Sequence, residues 1–380
     1  MGVKHGFDYM GTQHFRLLDG LRGLAAVVVV IYHFRGRSDL GEAMPHGYLA
    51  VDFFFVLSGL VVGHAYRRRL QGLMTTAQFL RRRWIRLWPM IVPGTVLAAA
   101  LELWRPESAN GHLADAGLLM LLGCFALPWP FHTALEQTIF PLNGPVWSLF
   151  FEIVASIVFV AIIKRPRIDW SVAGLIGVGA LALCGYLVTT GTVDTGPYVD
   201  NWVGGFARVS FSFFVGVAID PIRRHVPAVG AWVYAAVLLA IFMVPHGSGL
   251  AEPWFEAAIV FAVFPVLVAS ASNCEAGALL TRLCALSGEI SYPLYALHYP
   301  VIRVICFVMN RQTVPLWGQA AICVGAVVAT SCISLAVSRL YDQPVRQFLT
   351  RMFDQSPPRA AKPGWLSLGG AKSPPTPEVG

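Results

Sequence analysis

Four groups of residues in this sequence place chemistry-bearing side chains among apolar ones. The first is Arg22 and His33, in Leu18-Asp19-Gly20-Leu21-Arg22-Gly23-Leu24 running on to Ile31-Tyr32-His33-Phe34. Eleven residues make close to three helical turns, so both side chains fall on nearly one face, ~16 Å apart along the axis. An imidazole titrates near neutrality and can take a proton from a hydroxyl. The bland alternative is a core histidine bonded to a backbone carbonyl.

The second group is Asn143-Gly144-Pro145-Val146-Trp147-Ser148-Leu149-Phe150-Phe151-Glu152. Pro145 suits the first turn of a helix and Trp147 an interfacial anchor. Glu152 follows about a turn and a half into the apolar region, with no basic residue nearby in sequence. A buried glutamate must be paired or protonated, so a structural pair and direct catalysis are equal readings. The third group is Arg81-Arg82-Arg83-Trp84-Ile85-Arg86-Leu87-Trp88-Pro89. Arg83 and Arg86, spaced i, i+3, share a helical face, and guanidinium forks suit phosphate. The fourth is Ser291-Tyr292-Pro293-Leu294-Tyr295-Ala296-Leu297-His298-Tyr299-Pro300. Tyr295 and His298 could line the same cavity; a proline-kinked helix whose hydroxyls recapture freed backbone groups is an equal reading.

The elements that must position these groups are membrane helices. The chain has 380 residues, 56% hydrophobic and only 13% charged, with a mean hydropathy of +0.61. A soluble chain carries roughly 25% charged residues. Apolar runs near the length needed to cross ~30 Å of hydrocarbon fall at 17–34, 48–66, 84–104, 145–163, 172–189, 203–219, 230–245, 254–272, 287–309 and 316–340. The fold class is therefore all-α, a polytopic transmembrane bundle of about ten spans. A shorter apolar piece, 114–128, is expected to be re-entrant. If it does not cross, Arg67–Arg69, Arg81–Arg86, Lys164-Arg165-Arg167, Arg223-Arg224, Arg282 and Arg339–Arg351 all fall on one side. Cytoplasmic loops concentrate Lys and Arg, so both termini are expected in the cytoplasm. Arg35, Arg37 and Arg311 are exceptions on the outer side.

Residues 1–16 read as a cytoplasmic segment with no cleavable signal, 17–350 as the transmembrane domain and 351–380, rich in Pro and Gly, as a disordered cytoplasmic tail. The net charge of +7 is topological and does not suggest nucleic acid. None of the seven cysteines forms a C-x-x-C pair, and no metal site or disulfide is expected. P-loop, G-x-S-x-G, dinucleotide and H-E-x-x-H motifs are absent. With this topology His33, Asp52 and Glu152 lie in the outer half of the membrane. Ionisable groups there usually face a cavity or one another, so these three are expected to cluster.

These pieces, in this order, resemble the acyltransferase-3 family of integral membrane O-acyltransferases, which act on surface carbohydrates and related acceptors. The resemblance rests on Arg22-x10-His33, Val51-Asp-Phe-Phe-Phe-Val-Leu-Ser-Gly59, Trp147-Ser-Leu-x-x-Glu152, Arg83-x-x-Arg86-x-x-Pro89 and Ser291-Tyr-x-x-Tyr-x-x-His298. It implies His33 as base, supported by Arg22, with Asp52 and Glu152 in the same catalytic group. Ser148, Trp147, Asn143, Tyr295 and His298 would line the substrate path. Arg82, Arg83 and Arg86 would hold the phosphates of acyl-CoA, acetyl-CoA above all, as donor substrate; no cofactor is bound permanently. The acceptor would be a carbohydrate or glycolipid hydroxyl and the location a bacterial inner membrane, among its lipids. Two other classes stay open on the residues alone, a transporter or flippase of an envelope glycan precursor and a binding or assembly subunit. Acceptor, acyl chain and oligomeric state are not legible.

Overall fold

The structure, a computed structural model, describes residues 15–72, 74–104, 113–165, 168–247 and 251–354. Among them there is no strand, only an isolated bridge between Thr138 and Tyr198. The helices are α1 (Arg16–Arg35), α2 (Ala50–Gln71), α3 (Thr76–Trp104), α4 (Leu113–Cys124), α5 (Val146–Ile162), α6 (Ile168–Thr190), α7 (Gly204–Ile222), α8 (Ala231–Met243), α9 (Ala251–Ala258), α10 (Phe264–Ala271), α11 (Ala278–Met309), α12 (Leu316–Val337) and α13 (Gln343–Asp354). A π-helical turn, Ile259–Val263, joins α9 to α10, so the two run as one rod. Eight helices or helix pairs are long and apolar enough to cross a membrane, while α5 and α8 are shorter apolar helices within expected spans. The chain is thus a multi-pass helical membrane protein. The 114–128 piece forms α4, a short helix packed against α3.

Helix boundaries follow local chemistry more than hydropathy. Thr75 and Gln78 exchange hydrogen bonds in a capping box, Gln78 N to Thr75 Oγ1 and Thr75 N to Gln78 Oε1. This starts α3 well before the apolar run at 84, so Arg81 to Arg86 stand on a helix rather than in a loop. At the far end α13 continues through Asp354, four residues into the segment expected to be unstructured. The rest of that tail, 355–380, and residues 1–14 lie outside the described residues.

The core is aromatic. Phe53, Phe55, Phe151, Phe159, Phe213 and Phe264 are buried where α2, α5, α7 and α10 meet. By contrast α6 and α12 turn Leu181, Val188, Val324 and Val328 outward, as lipid-facing helices do. Lipid is as apolar as a leucine core, so the central helices associate through close packing of small residues. At the α2–α7 crossing, a Cβ on Gly59 would lie 1.9 Å from the carbonyl oxygen of Phe213, and one on Gly216 would lie 2.1 Å from that of Val56. At the α1–α11 crossing, a Cβ on Gly23 would lie 2.6 Å from the Ser287 carbonyl oxygen. These glycines set how near the site-bearing helices come.

Gly59→Ala or Gly216→Ala is expected to lower the thermal unfolding midpoint in detergent by the equivalent of at least ~1–3 kcal/mol, since backbone must give way. Gly174→Ala on α6, where an added Cβ meets nothing within 4 Å, should leave it unchanged. Equal midpoints for all three would mean that α2 and α7 do not meet this closely.

Candidate functional site

Three cavities lie in sequence through the bundle, and adjacent ones share walls. The first, of about 340 Å³, is lined by Arg69, Arg81, Arg82, Arg86 and Arg346 with Tyr66, Gln78 and Phe353. The second, of about 80 Å³, takes Arg86 from it and adds Arg22, Ser58, Arg83, Ser148, Glu152, Ser291, Tyr292 and Tyr295. The third, of about 270 Å³, shares Val51 and Tyr295 with the second. It is lined by Tyr32, His33, Arg37, Tyr48, Glu136, Trp147, Asp194, Tyr198, Arg208 and Tyr299. A guanidinium-rich mouth, a narrow polar neck and an aromatic chamber therefore follow one another.

The expected cluster of His33, Asp52 and Glu152 is not formed. Asp52 is fully buried behind the aromatic chamber and takes two hydrogen bonds from Arg208, Nη2 to Oδ2 at 2.6 Å and Nε to Oδ1 at 3.2 Å. The Ser212 hydroxyl donates to the same carboxylate at 3.3 Å. Arg208 also donates to the carbonyl oxygens of Thr195 at 3.1 Å and Tyr48 at 3.0 Å, and its guanidinium sits over the Trp147 ring. Every direction of this arginine is satisfied, as a charge inside a bundle requires. Glu152 turns instead to the neck, where it accepts from Arg83 and, at 2.5 Å, from the Ser58 hydroxyl.

That pairing also corrects the expectation for Arg83, which was read as half of a phosphate clamp with Arg86. Arg83 is buried and donates to Ser156 Oγ at 3.2 Å as well as to Glu152. Arg86 and Arg82 line the mouth, joined there by Arg69, Arg81 and Arg346. Arg86 is exposed and has no ion-pair partner among the described residues. Arg22 lines the neck: it pairs with Asp19 at 3.1 Å and donates to Ser291 Oγ at 2.9 Å and to the Gly288 carbonyl at 3.1 Å. Arg22 and His33 therefore face different cavities along one helix.

His33 lines the aromatic chamber with its ring 5.2 Å from that of His298 and 5.1 Å from that of Tyr299. His298 is fully buried; its Nδ1 lies 3.0 Å from the Leu294 carbonyl, which can only accept. The Nδ1 must carry the proton, leaving Nε2 as a lone-pair acceptor with no hydrogen-bond partner among the described residues. Tyr295 and Ser148 lie at the junction of neck and chamber, their oxygens 2.7 Å apart. Ser148 also donates to the Pro145 carbonyl, so the Tyr295 hydroxyl is the donor between the two.

Asn143 lies away from both cavities, buried, and its Nδ2 donates to the Ala296 carbonyl at 3.0 Å. Pro300 lacks the N–H that would otherwise bond the oxygen four residues back, so Asn143 closes the break that this proline leaves in α11. Trp147 lines the chamber.

Sequence reasoning passed over Arg208, Asp194, Glu136, Tyr198 and Tyr299. The signal for Arg208 was present: a lone arginine in Phe206-Ala-Arg-Val-Ser-Phe211 needs an acid at its own depth. Arg37, an outer-side exception to the charge rule, donates to Glu136 at 2.7 Å and to the Tyr299 hydroxyl at 2.7 Å; it is a wall of the chamber. Burial pushes the Asp194 carboxyl above its usual range, against the pull of Arg208. The Tyr198 phenol is likewise raised, by burial and then by Asp194.

Removing one partner of a buried ion pair leaves the other uncompensated, at a cost of about 3–5 kcal/mol. Asp52→Leu and Arg208→Met should each depress the unfolding midpoint strongly, and the double variant should recover most of that loss. A double variant no better than the worse single would show that the two side chains are not coupled.

Comparison with known proteins gives several relatives and one family. The chain is 27% identical over 346 residues to the provisionally named membrane-bound transacylase BcsY of Komagataeibacter xylinus, covering 86% of this chain and 82% of that one. It is 39% identical over 158 residues to "Protein 2 in picA locus" of Rhizobium radiobacter, 39% of this chain and 81% of that one. Against the peptidoglycan O-acetyltransferase OatA of Listeria monocytogenes it is 24% identical over 363 residues, 87% of this chain and 55% of that one; it thus spans about half that relative's length. No solved structure matches. The sequence pattern of the acyltransferase domain family matches residues 15–338, and with that span covered the chain belongs to this family of acyltransferases.

Proposed function

We propose that the protein moves an acyl group, acetyl above all, from cytoplasmic acyl-CoA to a hydroxyl of an envelope carbohydrate, with His33 as general base. The observation that carries this reading is the succession of three cavities with shared walls at Arg86 and at Val51 and Tyr295. The arginine mouth suits the phosphates of a nucleotide-bearing thioester. By the positive-inside rule it opens to the cytoplasm, with both termini on that side, in a bacterial inner membrane. The neck admits a thin chain and excludes a nucleotide. The chamber suits a sugar, with Tyr32, Trp147, Tyr198 and Tyr299 for C–H faces and Glu136 and Asp194 as acceptors for hydroxyls.

In the reaction, His33 takes the proton of the acceptor hydroxyl as its oxygen attacks the thioester carbonyl. The carbon–sulfur bond of the tetrahedral adduct then breaks, and the imidazolium returns the proton to the leaving thiolate. Ester and free CoA are the products. Tyr295, at the junction, could stabilise the negative charge gathering on the carbonyl oxygen only by turning its hydroxyl away from Ser148. Arg22 and the Arg83–Glu152 pair form the neck and position the arm. The relatives named for transacylation and for peptidoglycan O-acetylation favour a glycan acceptor over a small soluble one.

The test is radiolabelled acetyl-CoA turnover by purified protein in nanodiscs with a pool of envelope glycans. His33→Ala should lower transfer by about 10²–10⁴ with acetyl-CoA binding kept, whereas Arg82→Ala/Arg86→Ala should raise KM for the donor. Unchanged transfer in His33→Ala would remove the base. Glycan movement with no donor consumed would point to a transporter.

A further inference from the structure

A second polar cluster lies beside the chamber, built from three parts of the chain. His46 comes from the loop before α2, His246 from the segment after α8 and Glu252 from the start of α9. One ligand atom from each lies within 4.8 Å of the others. His46 Nε2 is 3.7 Å from Glu252 Oε1, His246 Nδ1 is hydrogen-bonded to the same oxygen, and the two imidazole rings are 4.8 Å apart.

We infer that His46, His246 and Glu252 form a zinc site that ties the rim of the chamber to α8 and α9. His46 is 1% exposed, and its Nδ1 lies 2.9 Å from the carbonyl oxygen of Val244. A carbonyl only accepts, so Nδ1 holds the proton and Nε2 presents a lone pair toward the cluster. That Nε2 has no hydrogen-bond partner among the described residues. A buried polar atom without a partner is uncommon, and this one is aimed at a second imidazole and a carboxylate. An imidazole whose far nitrogen is anchored on a carbonyl is the arrangement metal-binding histidines use. Two imidazoles and one carboxylate, with a fourth position for water, suit Zn²⁺ rather than the all-oxygen sets of Mg²⁺ or Ca²⁺. Ligand bonds of about 2.0–2.2 Å at a tetrahedral centre put the ligand atoms roughly 3.4 Å apart, so the two imidazoles must draw together while His246 and Glu252, now hydrogen-bonded, must separate. His246 stands in irregular chain and is 35% exposed, so it is the one free to move.

The consequence runs to the chamber wall. Two residues after His46 stands Tyr48, which lines the chamber, gives its carbonyl to Arg208 and bonds its hydroxyl to Glu256 on α9 at 2.5 Å. A bound ion would fix this rim where a hydrogen-bonded histidine and glutamate alone allow it to open.

The experiment uses tag-free full-length protein in nanodiscs, stripped with chelator, returned to Zn²⁺ alone and washed. Metal analysis should find one zinc per wild-type chain, and Co²⁺ in its place should give the visible bands of a low-symmetry four-coordinate site. Zinc should raise the wild-type unfolding midpoint. His246→Gln and Glu252→Gln should lose both the retained zinc and the shift while melting where metal-free wild type melts, which shows that they fold. No retained zinc in wild type, or retention unchanged in both variants, would overturn the site.

Discussion

A charge placed inside a membrane-spanning bundle must meet its counter-charge there, and two such pairs organise this protein. Arg208 on α7 and Asp52 on α2 are both fully buried, and Arg83 on α3 meets Glu152 on α5 in the neck. Each pair further engages a neighbouring segment: Arg208 donates to the carbonyls of Tyr48 and Thr195, and Glu152 accepts from Ser58 Oγ of α2. Replacing water around a guanidinium needs several acceptors at fixed positions, so each pair locks three chain segments at once. The glycines at the α2–α7 crossing then let the backbones approach until those acceptors are in reach. Phe53, Phe213 and Phe264 fill what remains.

The same accounting of polar groups explains α11, which brings Ser291, Tyr292, Tyr295 and Tyr299 to the cavity walls. Its two prolines remove backbone donors in the middle of a membrane span. The carbonyl that Pro300 frees is taken by Asn143. Across the helix the Tyr292 hydroxyl donates to the Leu87 carbonyl of α3, itself a continuous helix that carries Pro89 and Pro93. The prolines thus make α11 dock against the segment before α5 and against α3, and the docking points Tyr295 at the neck and His298 at the ring of His33. Asn143 supports α11 from behind without lining the neck or the chamber.

How much of this was legible in the sequence divides along one physical line. Hydropathy reports depth, and it gave a helix for each expected span, an arginine-rich end and a histidine end on α1. Depth does not report azimuth. His33, Asp52 and Glu152 sit in apolar spans and were grouped by depth, yet Asp52 faces α7 and Glu152 faces α3. The Arg83 and Arg86 spacing was read as one face, but three residues turn a helix about 300°. The ~60° left over is enough to send one guanidinium inward to Glu152 and leave the other at the mouth. Arg208 was missed because its acid is 156 residues away, a distance that no local pattern bridges. Even so, an unpartnered arginine in an apolar span is itself a demand for an acid on another helix, and Asp52 was the candidate at hand. Loop residues such as Glu136, Asp194 and Tyr198 carry no periodicity, so only folding could bring them to the chamber.

The neck carries an electrostatic constraint that bears on any path through a membrane. Its walls hold Arg22, Arg83 and Arg86 with Glu152 in a cavity of about 80 Å³; Arg83 is paired with Glu152 and Arg22 with Asp19, so Arg86 supplies the excess positive charge. In a low-dielectric setting such an excess repels protons and metal cations strongly. A thin neutral amide chain meets no such barrier, and an anionic head would be held at the arginine mouth rather than drawn through. An unpaired Glu152 would offer protons a carboxylate stepping stone, so its pairing with Arg83 does more than stabilise the fold. In the proposed reaction, which joins a cytoplasmic donor to an acceptor on the far side, the bundle would have to pass an acyl arm and nothing else. Tyr295 against Ser148 closes the neck where it meets the chamber, so in the proposed reaction that hydrogen bond is the one that must part for the arm to pass.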